Sequence, residues 1–309
     1  MDSVFSILPR NIGDQLRVLP EAVQDCMEEI RVRIARPLEI MAGGEPHFLP
    51  YVVTYEDSDQ LLNALSQFSL YTIEEELRRG YVTIEGGHRV GLAGKVVLEN
   101  SSVKAIRDIS SFNIRIARQK IGAAERLVPL LFDGSWKHTL LIGAPQTGKT
   151  TLLRDIARIV SSGMDSKGIG SRKVGIVDER SEIAGCVRGI PQLELGPRVD
   201  ILDSCPKAEG MMMLIRSMSP DVLVVDEIGR KEDTEAVLEA ANAGIKLIIT
   251  THGNSLEEIR KRPIIQRILD EHIFERFVEV TRGAAPGTIS TVRDASGKEL
   301  RLGTGAAYV

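Results

Sequence analysis

The chain has 309 residues, 43% apolar and 27% charged, with a formal net charge of −4, the composition of one large or two ordinary globular domains. That balance creates no global basic field for nucleic acid, and an aromatic content of 4% leaves few platforms for stacking bases. No apolar run approaches the ~20 residues that a membrane-spanning helix needs, and Cys26, Cys186 and Cys205 are scattered without a Cys-x-x-Cys pair, so neither zinc nor a disulfide framework is expected.

The first residues, MDSVFSILPRNIGDQ, lack the charged start and apolar core of a signal peptide, so a cytoplasmic protein is expected. Up to about residue 120, short apolar runs alternate with Gly-rich turns: RVRIARPLEIMAGGEP, GYVTIEGGHRVGLAGKVVLE and SFNIRIAR. These predict short strands around one helix, SDQLLNALSQFSLYTIEEELRRG, which ends at Gly80 after Arg78 and Arg79. The segment carries no nucleotide motif and is expected to be a smaller α/β N-terminal domain, residues 1–120, that makes partner and oligomer contacts.

From residue 121 the pattern changes. AAERLVPLLFD predicts a helix leading into the strand TLLIG, and a second helix, TTLLRDIARIVSS, places Leu152, Leu153, Ile156, Ile159 and Val160 on one stripe. SSGMDSKGIGSR is the most loop-like stretch. The apolar strands KVGIVDE, DVLVVDE and KLIITTH then recur between polar or helical segments. Such continuous apolar strands predict a mostly parallel sheet covered on both faces, an α/β domain over residues 121–309. The tail FVEVTRGAAPGTISTVRDASGKELRLG predicts antiparallel strands.

Between TLLIG and its helix lies Gly143-Ala144-Pro145-Gln146-Thr147-Gly148-Lys149-Thr150, a P-loop followed by Thr151. Its glycines let backbone N–H groups face phosphate, and the helix start adds a positive dipole end. Lys149 is expected to reach the β- and γ-phosphates of ATP, and the Thr150 hydroxyl to ligate Mg2+. Asp226, at the end of the strand DVLVV, is the second expected magnesium ligand. The adjacent Glu227 is the expected base for an attacking water, which separates a hydrolase from a small-molecule kinase that must exclude water.

Three further groups are candidates. Glu179 lies with Asp178 and Glu182 after the strand GIV, at the same expected sheet edge as Asp226, with Arg180 among them. His252, after Thr250 and Thr251, suits either a γ-phosphate sensor or a packing role. Arg115, Arg118, Arg198 and Arg216 are candidates to complete a hydrolytic site in trans. The Met211-Met212-Met213 run is expected to pack in a core or an interface.

The ordered set GAPQTGKTTLLRD, VDERSEIAG, LGPRVDILDSCPKAEGMMMLIRSMSPDVLVVDEIG and TTHGNS resembles the stage III sporulation AA family, itself similar to the ATPases of type II and type IV secretion systems. GYVTIEGGHRVGLAG and ISSFNIRIAR extend the resemblance to nearly the whole chain. It implies a RecA-like ATPase domain behind a smaller N-terminal domain, assembled as a homo-oligomeric, hexameric ring. It also implies a place at the cytoplasmic, mother-cell face of a membrane channel in endospore formation, with channel proteins as partners. VDERSEI occupies the family's acidic box and TTHGNS its histidine box, and the arginine before the Walker B strand falls on Arg216. The chain departs in reading Glu227-Ile228-Gly229-Arg230 where secretion ATPases often carry Glu-Ile-Arg-Asp, which leaves the role of Arg230 open. The expected activity is ATP hydrolysis that powers or gates such a channel. A nucleotide-gated scaffold with little turnover and a P-loop kinase are the alternatives.

Overall fold

A computed structural model describes residues 1–66, 74–99, 101–283 and 285–301. The chain divides into two compact units, Met1–Arg118 with Gly185–Gln192, and Gln119–Ala184 with Leu193 onward.

The first unit is built on an antiparallel six-stranded sheet. Its strands are β1 (Met27–Arg33), β2 (Pro37–Ala42), β3 (Glu45–Val52), β4 (Tyr81–Ile84), β5 (His88–Glu99) and β6 (Ser102–Arg115), in the order β3-β2-β1-β6-β5-β4. The helices are α1 (Asp2–Ile7), α2 (Arg10–Arg17), α3 (Glu21–Cys26), α4 (Tyr55–Ser66) and α5 (Glu74–Arg79). Ile12 and Leu16 of α2 and Leu61 of α4 pack with Ile30, Leu38, Ile40 and Ile114 of the sheet. The helix expected from Ser58 to Arg79 corresponds to α4 and α5, and residues 67–73 between them lie outside the described residues. Gly80 follows α5 at φ +79°, a left-handed stop that glycine adopts without a Cβ clash.

Gln119 opens the second unit. A short helix α6 (Val128–Leu131) and a two-stranded ribbon, β7 (Phe132–Asp133) and β8 (Ser135–Trp136), precede the main sheet. The sheet contains β9 (Thr139–Gly143), β10 (Val174–Asp178), β11 (Val199–Asp203), β12 (Val222–Val225), β13 (Lys246–His252), β14 (Arg276–Thr281), β15 (Thr288–Asp294) and β16 (Glu299–Leu300). Their order is β11-β10-β12-β13-β9-β14-β15-β16, parallel from β11 through β14 and antiparallel beyond. All residues of β9, β10 and β12 are buried, which explains their unbroken apolar runs.

The connecting helices are α7 (Lys149–Ser162), α8 (Lys207–Ser217), α9 (Lys231–Asn242), α10 (Leu256–Ile259) and α11 (Pro263–Asp270). Met211 and Leu214 of α8, Val237 and Ala240 of α9 and Ile265 of α11 pack on Leu140, Leu223, Val225 and Leu247. The long helix α7 covers the alternate residues of the same strands on the other face. Of the methionine run, Met211 lies in this core while Met213 is exposed. The consecutive strands β9 and β10 are separated by β13 and β12, so a crevice opens at their C-terminal edge, where open parallel sheets hold ligands.

One excursion has no counterpart in the expected domain boundary near residue 120. Gly185–Gln192 leaves the second unit and joins the first, where the Gln192 side-chain oxygen accepts the Gly86 N–H at 3.2 Å. A Cβ on Gly185 would lie 2.9 Å from the Cα of Gly87, so only glycine permits that approach.

Gly94 sits at the register shift between β5 and β6, where a Cβ would come within 2.6 Å of the Arg107 carbonyl oxygen and 2.7 Å of that of Asp108. Gly94→Ala is expected to destabilise the first unit by about 2 kcal/mol, because backbone must move to admit the methyl. Gly43→Ala, where nothing lies within 4 Å, carries only the φ penalty and is expected to cost less. Urea unfolding of both variants checks the ranking.

Candidate nucleotide site

The P-loop leaves β9 at Gly143 and enters α7 at Lys149, with Gly148 at φ +92° as the N-cap. A Cβ on Gly148 would lie 2.1 Å from the Gly287 nitrogen, and one on Gly143 would lie 2.6 Å from the Thr147 hydroxyl. The loop is braced from outside by the β14–β15 turn. The Gly287 N–H donates to the Thr147 carbonyl at 2.8 Å, and Arg282 donates to the Gln146 side chain at 3.1 Å. Ala144, Pro145 and Thr147 line a cleft of about 500 Å³ with Asn254 and residues Val280 to Arg282. Thr151 follows in the first turn of α7, half-buried.

Lys149 is buried, and its ammonium donates to the carbonyls of Gly143 at 2.7 Å and Ala144 at 2.9 Å. It also lies 3.2 Å from Nδ1 of His252. Desolvation lowers the Lys149 pKa, while the charges of Asp226 and Glu227 act to raise it. With the ammonium donating to Nδ1, the ring proton of His252 belongs on Nε2, which faces Glu227 Oε1 at 2.9 Å. His252 therefore joins the phosphate-binding lysine to the expected base.

Asp226 follows the buried strand β12 and receives two threonine hydroxyls. Thr150 donates to Oδ2 at 3.1 Å, and Thr250 donates to Oδ1. The Thr250 oxygen in turn accepts the Glu227 N–H at 2.8 Å. Glu227 has φ +51°, a left-handed conformation that costs a non-glycine residue about 1 kcal/mol and recurs at functional sites. Its second oxygen, Oε2, pairs with Arg180 at 3.2 Å.

The acidic box separates into two roles. Asp178, at the end of β10, is buried and accepts the N–H groups of Glu182, Ile183 and Ala184 at 2.8, 2.9 and 2.8 Å. It is a loop anchor, and burial pushes its carboxyl up to about 6. Glu179 points to the crevice and pairs with Lys207 and, at 3.3 Å, with Arg230. Burial alone would raise its pKa, but the Lys207 hydrogen bond and the charges of Lys207, Arg230 and Arg180 bring it below the usual carboxylate range. Arg154 of α7, nearly buried, donates to the carbonyls of Ile183 and Glu182 at 2.6 Å each, tying the P-loop helix to the acidic loop.

The structure thus brings Lys149, Thr150, Asp226, Glu227, Glu179 and His252 to one sheet edge. Arg216 lies in the exposed last turn of α8, at the start of β12 and so at the opposite edge, away from the phosphate site of its own chain. Arg115 pairs with Glu29 at 3.3 Å, and Arg118 donates to the carbonyls of Asp25 and Met27, all within the first unit. Arg198 donates to the Ser171 carbonyl at 2.9 Å and hydroxyl at 3.1 Å. The contributions of Arg154, Arg180 and Lys207 were not legible in the sequence. The one available signal was the position of Arg180 inside VDERSEI. Among the described residues no group of three or more His, Cys, Asp or Glu could hold a metal. Thr150 and Asp226 offer two hard oxygen ligands, which fits Mg2+ because that ion keeps waters and phosphate oxygens for its remaining positions.

The family model described as "Sporulation stage III, protein AA" matches residues 2–300. The stage III sporulation protein AA of Bacillus subtilis (strain 168) is 54% identical over 99% of both chains. An uncharacterised protein, ycf45, of Porphyra purpurea is 25% identical over 87% of this chain and 43% of its own. Among solved structures, the Legionella pneumophila ATPase DotB superposes with a TM-score of 0.59 at 17% identity, covering 87% of this chain and 75% of its own. The pilus retraction motor PilT, with bound ADP, superposes at 0.58 and 16% identity, covering 90% and 81%. The fold is the RecA-like P-loop architecture of these secretion and pilus ATPases.

Because the Asp178 carboxyl titrates higher in the folded chain than its ordinary 3.8, it favours folding most below that value, and the contribution is lost as pH rises to about 6. Asp178→Asn is expected to flatten the fall in stability between pH 4 and 6, while Asp178→Ala leaves three N–H groups unpaired and costs about 3 kcal/mol. Denaturant titrations across that pH range measure both effects.

Proposed function

The chain belongs to the sporulation stage III, protein AA family, and from that premise we propose that it is an ATP hydrolase that powers or gates a secretion-like membrane channel during endospore formation. The observation that carries the hydrolytic reading is the position of Glu227. Its backbone is pinned by Thr250 and its carboxylate lies one imidazole away from the P-loop lysine. A kinase has no use for a carboxylate held there, because it must keep water from the γ-phosphate.

In this reading the P-loop N–H groups and Lys149 hold the β- and γ-phosphates of ATP. Thr150 and Asp226 hold Mg2+, which when bound neutralises charge on the phosphates. Glu227 takes a proton from water as the water oxygen bonds to the γ-phosphorus and the bond to the bridging oxygen breaks, leaving ADP and phosphate. His252 orients Glu227 through Nε2 and senses the phosphate through its contact with Lys149. Glu179, held by Lys207 and Arg230, shapes the acidic wall of the crevice.

Arg115 and Arg118 of the first unit and Arg216 of α8 are the arginines proposed to complete the site across a subunit boundary. Arg216 suits that role because it lies far from its own phosphate site. The assembly proposed is a homo-oligomeric ring, a hexamer, at the cytoplasmic face of the membrane on the mother-cell side, with channel proteins as partners. No helix among the described residues is long and apolar enough to cross a membrane, so attachment through partners is the arrangement proposed.

Glu227→Gln is expected to lower ATP turnover by about 10²-fold or more while nucleotide binding is retained, the range for losing a positioned general base. Unchanged steady-state hydrolysis would show that Glu227 is not the base. Light scattering with ATP at high protein concentration tests the ring, and a particle that stays monomeric removes it.

A further inference from the structure

Glu227 is doubly held. Oε1 faces His252 Nε2 at 2.9 Å and Oε2 faces Arg180 Nη1 at 3.2 Å. A carboxylate held by two such donors is a weak proton acceptor, because both stabilise its charged form. One of them must withdraw before Glu227 can take a proton from water. The two holders differ. His252 is fixed from behind by Lys149 at 3.2 Å and ends a buried strand. Arg180 reaches in from the turn after β10 with its side chain 56% exposed, on a long stem beside Ser181 at φ +53°.

Arg180 also borders both cavities at this edge. One is a crevice shared with Asp178, Glu179, Asp226 and Glu227, and the other is a pocket of about 450 Å³ whose wall includes His252, Arg230 and Arg262. Its guanidinium therefore has open space on either side of Glu227. The side chains lead without a gap from Lys149 through His252 and Glu227 to Arg180. A phosphate group held by Lys149 would bring its negative charge next to that sequence.

We propose that Arg180 is a catalytic arginine supplied in cis. Without a γ-phosphate it pairs with Glu227 and keeps the base occupied. When the γ-phosphate arrives, the guanidinium moves from the carboxylate to the phosphate oxygens, which carry more charge and accept its planar fork in the same way. The move frees one oxygen of Glu227 for water and neutralises charge that grows as the phosphoryl group departs. Occupation of the site and release of the base become one event. This inference rests on the hydrolytic reading above, and its test has a readout that does not require turnover.

The experiment compares the binding of Mg-ADP with that of a non-hydrolysable Mg-ATP analogue, using wild type, Arg180→Ala and Arg180→Lys, by calorimetry on the full chain. The analogue is expected to bind Arg180→Ala about 10-fold or more weakly, and ADP within about 2-fold of wild type. Arg180→Lys is expected to recover part of the loss, since a point charge replaces the fork. Equal weakening of both nucleotides would make Arg180 a structural residue, and unchanged or tighter binding of the analogue would make it only a restraint on Glu227. Either result overturns the proposal. In parallel turnover assays, Arg180→Ala is expected to lower kcat by about 10²-fold or more, as for loss of an arginine finger. An increase overturns it. Absence of turnover in wild type would refute hydrolysis, while the ADP-to-analogue comparison still reports on the contact of Arg180 with the γ-phosphate.

Discussion

The hydroxyl of Thr250 donates to Asp226 and accepts the N–H of Glu227, and the geometry of the phosphate edge depends on that bridge. The two acidic residues are adjacent in sequence yet need different directions, one toward Thr150 and the other toward His252. An extended strand would send them to opposite faces of the sheet. The left-handed turn at Glu227 brings the second carboxylate back to the crevice, and the hydrogen bonds from Glu227 and Ile228 to Thr250 hold the turn against its own strain. Parallel pairing of β12 with β13 places that threonine where the turn needs it.

A second brace acts on the acidic loop. Asp178 collects three backbone N–H groups and Arg154 engages two carbonyls of the same loop, so Glu182 to Ala184 are gripped from β10 and from α7 together. Arg154 begins one turn after Thr150, so its helix feels whatever sits in the P-loop. The chain then continues directly into Gly185–Gln192, which belongs to the first unit. The loop carrying Glu179 and Arg180 is thus attached to the phosphate-binding helix on one side and to the excursion on the other.

Much of the site was legible because short motifs carry their own geometry. The glycines at 143 and 148 have almost no space for a Cβ, as a phosphate cradle requires. Asp226 and His252 were placed at one edge because apolar runs of strand length ended there. The expected common role of the acidic box was less informative. Asp178 and Glu179 are neighbours, but alternation along the strand end buries one among N–H donors and leaves the other facing cations. Arg180, Lys207 and Arg154 act through partners 47, 28 and 29 positions away, and no local pattern encodes such distances.

The sequence by itself determined the P-loop, the order of strands and helices in the second unit, and which residue types end the central strands, because backbone sterics and hydrophobic periodicity act over a few residues. Only the tertiary structure decided that His252 would stand between Lys149 and Glu227, that Arg180 would occupy the base, and that Gly185–Gln192 would leave one unit for the other. Those arrangements follow from parallel strand register and from close backbone approaches between segments far apart in the chain, and they exist only once the sheet has formed.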